Sequence, residues 1–242
     1  MNATFESGSP ALIEVLRDRL YPLRDEPRAV GMAGYMQDLF PFLGIDSTRR
    51  RQAVKDLLAR RPLDWELVDD CWDEPEREFQ YVAVDHLRRQ TLPAAELDTL
   101  KVLITSKSWW DTVDHLAKVA GTSLRTEPDA ARPILASWAT DPDLWVRRVG
   151  VLCQLGFAKD GVLDKDLLTQ AIAANLATSP TCLRWEEHPF AGPGPKFFIE
   201  KAIGWALRDV AHHDPDWVQE FCRAYHADLS PLSRREALKN LH

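Results

Sequence analysis

Apolar positions recur along this chain at helical spacing, and no stretch sustains the alternation of a strand. The punctuation is also helical. Pro75, after Asp73 and Glu74, opens PEREFQYVAVDHLRR, and Pro93 opens PAAELDTLKVLI. Ser108 with Asp111, and Ser233 with Glu236, have the spacing of capping boxes, in which hydroxyl and carboxylate satisfy free backbone N–H groups. Asp143 stands just before LWVRRVGVLCQL. The pattern predicts an all-α protein.

The helices come in pairs. Second members are expected near residues 75, 108, 143, 197 and 233, at intervals of 33, 35, 54 and 36. The long interval holds 179-SPTCLRWEEHPFAGPGPK-196, which reads as an inserted loop. Without it the period lies in the range of two-helix solenoid repeats. Such repeats stack into a superhelix with a concave face suited to a long partner. The expectation is one repeat domain over 1–242; the alternative is an irregular all-α bundle.

Composition narrows the choice of function. With 242 residues, 45% of them hydrophobic, the chain can bury one sizeable core or build one elongated repeat domain. No apolar run approaches the roughly 20 residues of a membrane span. The start, MNATFESGSPALIEVL, lacks the basic and apolar regions of a signal peptide. Cys71, Cys153, Cys182 and Cys222 are far apart and form no CxxC pair, so free thiols in a reducing cytoplasm are expected and no metal site. The net charge of -7 argues mildly against a nucleic-acid partner, although a local basic face counts for more than the sum. The nine tryptophans are the oddity. Most should be core, and a minority should face something.

Helical projection separates them. In 107-KSWWDTVD-114 and its continuation, Trp109, Val113, Leu116 and Ala120 share one stripe. Trp110 lies about 100° away, beside Asp114 four residues on. Trp110 either faces outward next to a carboxylate or packs on a neighbouring repeat. In 143-DLWVRRVGVLCQL-155 the stripe is Leu144, Val151, Leu152 and Leu155; Arg148 falls inside it and Arg147 outside, near Gln154. An arginine on an apolar face needs a partner, either a carboxylate of the next repeat or a phosphate. In 197-FFIEKAIGWALRDVAHH-213, Ile199, Ile203, Ala206, Leu207 and Val210 form the stripe. Trp205 stands off it between Lys201 and Arg208, as a binding face or as an aromatic shielded by a cation. On equivalent helices these residues could share one concave surface. Aromatics with cations suit nucleic acid, and a carboxylate among them suits chemistry at a developing positive charge.

The stretches 35-YMQDLFPFLGI-45, 72-WDEPEREFQYVAVD-85, 105-TSKSWWDTVD-114, 144-LWVRRVGVLCQL-155, 197-FFIEKAIGWALRD-209 and 229-LSPLSRREALK-239 resemble the HEAT-repeat alkylpurine DNA glycosylases of the AlkD type, over nearly the whole chain. The resemblance implies a HEAT-like solenoid with a basic and aromatic concave face. It implies hydrolysis of the N-glycosidic bond of cationic alkylated purines, such as 3-methyladenine and 7-methylguanine, in duplex DNA without deep base flipping. By the same resemblance Asp114 would be the catalytic carboxylate, Trp110 and Trp205 the aromatic walls, Arg148 a backbone contact and Tyr35 a lesion-side aromatic. Arg49, Arg50, Arg51, Lys55, Lys107, Lys201, Arg208, Arg234 and Arg235 become candidate phosphate contacts, or else solvated surface charges. The protein is expected to act as a cytoplasmic monomer on double-stranded DNA, without a cofactor, metal or membrane. The 179–196 loop is longer than the resemblance implies, and its Trp185 would anchor the loop or probe a groove. Two other readings are a noncatalytic repeat protein that binds damaged or branched DNA and a protein-interaction scaffold.

Overall fold

The computed structural model describes residues 11–182 and 194–241. Among these the secondary structure is helical throughout. The helices are α1 (Leu12–Leu20), α2 (Glu26–Tyr35), α3 (Ser47–Leu58), α4 (Trp65–Asp73), α5 (Arg77–Leu87), α6 (Leu97–Thr105), α7 (Trp110–Thr126), α8 (Pro128–Trp138), α9 (Leu144–Leu152), α10 (Lys165–Ala173), α11 (Pro195–Ala211), α12 (Pro215–Ala224) and α13 (Pro231–Ala237). None is long and apolar enough to cross a membrane. The expected second helices are α5, α7, α9, α11 and α13, each starting within two residues of its predicted place. The inserted loop falls mostly outside the described residues, as does Trp185.

Aspartates start many of these helices. Asp143 accepts from Trp145 N at 2.7 Å and Val146 N at 3.1 Å, capping α9 as expected. Asp46, Asp64, Asp164 and Asp214 do the same for α3, α4, α10 and α12. Neither capping box forms. Ser108 instead turns its hydroxyl back to Ile104 O at 2.7 Å, closing the end of α6, and Trp109 stands at the cap of α7. At α13 the cap is Ser230, which accepts from Ser233 N at 3.0 Å. Ser233 Oγ donates to Glu200 O of α11 at 2.9 Å.

The chain divides into two compact units, at Gln90 and Thr91. In the first, α1 packs on α3 and α4, and α5 on α3 and α4. Its keystone is Glu78 on α5, which is fully buried. Its carboxylate accepts from Leu43 N at 2.9 Å, Gly44 N at 2.8 Å and Ile45 N at 3.0 Å. Gly44 has φ of 85°, and a Cβ there would stand 2.1 Å from Asp25 O. Arg77 lies 3.8 Å over the Phe40 ring, and Gln80 holds Cys71 O at 3.0 Å and Glu74 O at 2.7 Å. The WDEPEREFQ and YMQDLFPFLGI stretches therefore interlock. Replacing Glu78 with alanine strands three buried N–H groups, so a loss of about 3–5 kcal/mol is expected. The urea midpoint measures it at constant slope, and a loss below about 1 kcal/mol would refute this role.

In the second unit α6 packs on α7 and α8 on α9, while α10 packs on α8 and α9, and α12 on α11. The second members pack in succession, α7 on α9, α9 on α11, and α11 on α13. This is the repeat stacking that the spacing predicted. The order puts three helix faces side by side in one unit: α7, α9 and α11.

Candidate active site

Trp110, Asp114 and Lys118 follow one another at four-residue spacing on α7, so they share a face of that helix. Trp110 and Asp114 are half-buried, and Lys118 is exposed. Behind Asp114 stands Arg148 of α9, with only 6% of its side chain exposed against 13% for Asp114. Arg148 Nε donates to Asp114 Oδ1 at 2.6 Å and Nη2 to Oδ2 at 2.8 Å. Its remaining terminal nitrogen, Nη1, donates to Phe198 O on α11. The sequence left open a carboxylate or a phosphate as the partner of Arg148, and the structure places it on the carboxylate. The pair is bidentate, the strong geometry for these groups. Each carboxylate oxygen spends one lone pair on the guanidinium and keeps another, so a held but still usable carboxylate results.

An aromatic triangle adjoins the pair through Phe198. Trp109, Trp145 and Phe198 are buried, with ring centroids 5.6, 5.2 and 5.1 Å apart. It ties the start of α7 to α9 and to the start of α11, the three segments that supply Asp114, Arg148 and the Phe198 carbonyl. Trp109 is thus core, as its stripe predicted. Arg147 corrects the projection, because it is 3% exposed rather than outward-facing. It donates to Thr181 O at 2.7 Å, Thr140 O at 3.1 Å and Asn175 Oδ1 at 3.2 Å. Every residue of α9 is buried, so no side of this helix is free to be polar.

On α11, Ile199, Ile203, Ala206, Leu207 and Val210 are buried as expected, and Trp205 is half-buried. Trp205 lines a cavity of about 300 Å³ with Lys118, Thr122, Arg125, Gly156 and Asp209. Its neighbours Lys201 and Arg208 share one carboxylate, that of Glu236 on α13, at 3.1 and 2.6 Å. The Lys201 hydrogen bond, and then the charges of Lys201 and Arg208, hold the Glu236 carboxyl below its usual value. Gly204 makes this approach possible, since a Cβ there would meet Glu236 Cβ at 2.6 Å. Arg234, half-buried on α13, directs Nη1 at His226 Nε2. Lys107, at the junction of α6 and α7, is half-buried with a left-handed φ of 49°.

The family model for the DNA alkylation repair enzyme matches residues 16–241. The chain belongs to the DNA alkylation repair enzyme family. A solved structure described as a predicted DNA alkylation repair enzyme from Enterococcus faecalis is 30% identical. That match covers 90% of this chain and 96% of the other, with a TM-score of 0.74. None of the curated proteins matches the chain. Membership gives this DNA alkylation repair protein a role in DNA repair, and the helical-repeat fold agrees with it.

Apart from Arg235, exposed on α13, the remaining candidates of this repair protein belong to the first unit. Tyr35 ends α2, is 73% exposed, and lines an open apolar groove with Met32, Met36 and Phe42. Arg50 is buried, 3.0 Å from Asp85 Oδ2 and 4.8 Å over the Tyr81 ring. Arg51, about half exposed, reaches the same carboxylate at 3.1 Å. Burial pushes the Asp85 carboxyl up, but Arg51 and Arg50 outweigh it and hold the group below its usual value. Arg49 and Lys55 are exposed on α3. Projection had not singled out Phe198, Trp145, Glu236 or Lys118. For Trp145 the available signal was that α9 is apolar most of the way round, which marks a helix buried on all sides.

Proposed function

We propose that the protein is a DNA glycosylase that hydrolyses the N-glycosidic bond of cationic alkylated purines, 3-methyladenine and 7-methylguanine, in duplex DNA. The observation that carries this reading is Asp114, a carboxylate held on both oxygens by Arg148 at 2.6 and 2.8 Å, on the helical face that carries Trp110. A methylated purine already bears a positive charge. Its bond to C1′ breaks with the electron pair going to the base, which leaves neutral and needs no general acid. The sugar becomes oxocarbenium-like, and a preorganised carboxylate stabilises that charge. Water then adds to C1′, and its proton passes to Asp114 or to solvent. Tryptophan faces beside the sugar favour a cation by π attraction. The half-buried positions of Trp110 and Trp205 agree with an open site that needs no deep flipping.

The cations divide by their present engagements. Arg148 acts on DNA through Asp114 in this reading, and Lys201 and Arg208 reach phosphate only as a cluster already sharing Glu236. The reading takes double-stranded DNA as the partner and the monomer as the acting unit. The test is release of free base from a duplex carrying one 7-methylguanine. Release well above the spontaneous rate is expected. Tight binding with release at the spontaneous rate would make the protein a noncatalytic binder of damaged DNA.

A further inference from the structure

We propose that the groove between α12 and α13 is a binding site for a phosphate monoester, held by Arg234, Arg235 and Arg223 with His226 beside them. Both helices pack on α11, and between them opens a cavity of about 550 Å³. Cys222, Arg223 and His226 line it from the α12 side, and Arg234, Arg235 and Leu238 from the α13 side. Ser233 and Glu236 of α13 instead turn to α11, to Glu200 O and to Lys201 and Arg208. No residue of α7, α9 or α11 lines the cavity, so this site is independent of the glycosylase reading.

Exposed cations alone would not mark a site, and Arg234 is what distinguishes this one. Its Nε is buried and makes no hydrogen bond among the described residues, and its Nη1 meets His226 Nε2, not a carboxylate. A guanidinium has only donors, so the imidazole nitrogen accepts. A buried donor without an acceptor is costly. The arginine therefore gains by turning its fork from the imidazole to an oxyanion, which accepts from two nitrogens at once. Other arginines of this unit already rest on carboxylates: Arg148 on Asp114, Arg208 on Glu236, Arg125 on Asp160 and Arg132 on Asp164. The cavities beside Tyr35, Trp205 and Leu229 each carry a carboxylate on the wall, Asp25, Asp209 and Asp228 respectively. The α12–α13 cavity carries none among its lining residues, yet three guanidinium groups line it. Arg223 shares its charge with Glu220, and Arg235 is exposed. A carboxylate ligand would bring one charge to this wall. A phosphate monoester brings nearly two, with three acceptor oxygens that suit planar guanidinium forks. The space exceeds that of a bare phosphate, and Leu238 gives an apolar wall for the carbon skeleton of an ester.

Inorganic phosphate is the probe, titrated by calorimetry into the full chain in a phosphate-free buffer of constant ionic strength, above the second phosphate pKa of about 6. One saturable site and a raised melting temperature are expected, and acetate should give neither. Arg234→Gln should weaken binding by about tenfold or more, the loss of a bidentate charge-assisted contact. Arg235→Gln, at an exposed position that should not disturb the fold, should weaken it several-fold and decides the matter if Arg234→Gln melts too low. Lys159→Gln removes an equal charge from the exposed turn after α9 and should leave binding unchanged. A second arm compares a duplex bearing a 5′-phosphate at one strand end with the same duplex ending in hydroxyls. Tighter binding of the phosphorylated end, competed by inorganic phosphate and lost in Arg234→Gln, gives the site to a strand end. Equal binding of the two duplexes gives it to a small phosphate ester. Absence of saturable phosphate binding, binding unchanged in both arginine variants, or an equal loss in Lys159→Gln overturns the site.

Discussion

Asp114→Asn is expected to slow single-turnover release of 7-methylguanine by about 10²–10³, or about 2.7–4 kcal/mol of transition-state stabilisation. Affinity for an abasic duplex should change by only a few-fold. The substitution keeps the shape of the side chain and one acceptor oxygen. It removes the negative charge just where positive charge develops at C1′, and it turns an N–H toward an Arg148 N–H that now meets a carboxylate oxygen at 2.6 or 2.8 Å. The side chain is 13% exposed, so little water is available to replace the lost charge. Because Arg148 is then buried with a poorer partner, the variant should also melt lower, and rates must be compared well below both transitions. Release within about threefold of wild type would remove Asp114 from the chemistry, since one preorganised group is worth far more than that.

The helices were legible because each must bury one stripe, and a stripe at 3.6-residue spacing is visible in one sequence. Legibility failed where burial is not one-sided. Helix α9 is enclosed on all sides, so projection put Arg147 outside, although its guanidinium satisfies carbonyls of the α8–α9 turn. It failed again where a polar residue had two neighbours to serve: Ser108 matched a capping box for α7 and spent its hydroxyl on α6. For the candidate site, single residues could be named from the sequence, but their partnerships could not. Arg148 on an apolar stripe required a partner, but Asp114 is 34 residues away, and nothing local marks it as that partner. A separation of 28 residues likewise hides Glu236 from Arg208, and Lys201 stands farther still. Motif strength was also a poor guide to the candidate site. The conspicuous WDEPEREFQ stretch supplies Arg77, Glu78 and Gln80 to the packing of the first unit, whereas KSWWDTVD supplies the candidate carboxylate.

Arg148→Ala should be the most damaging substitution in the second unit, costing about 3–5 kcal/mol of stability and abolishing measurable base release. The residue is 5% exposed and links three helices, through both oxygens of Asp114 on α7 and the Phe198 carbonyl on α11. Its loss leaves a largely buried carboxylate without its counter-charge. Arg148→Lys should fall between, because one ammonium cannot reproduce a planar fork that serves two acceptors on different helices. Stability and chemistry can then be separated. Replacing both partners, as Asp114→Asn with Arg148→Met, removes the stranded charge and should recover part of the lost stability, while activity stays absent. Recovery of activity along with stability would mean that the ion pair only holds the helices together and that the reacting carboxylate lies elsewhere. Stability without activity would place the pair in the reaction, with Arg148 fixing the orientation of the Asp114 carboxylate.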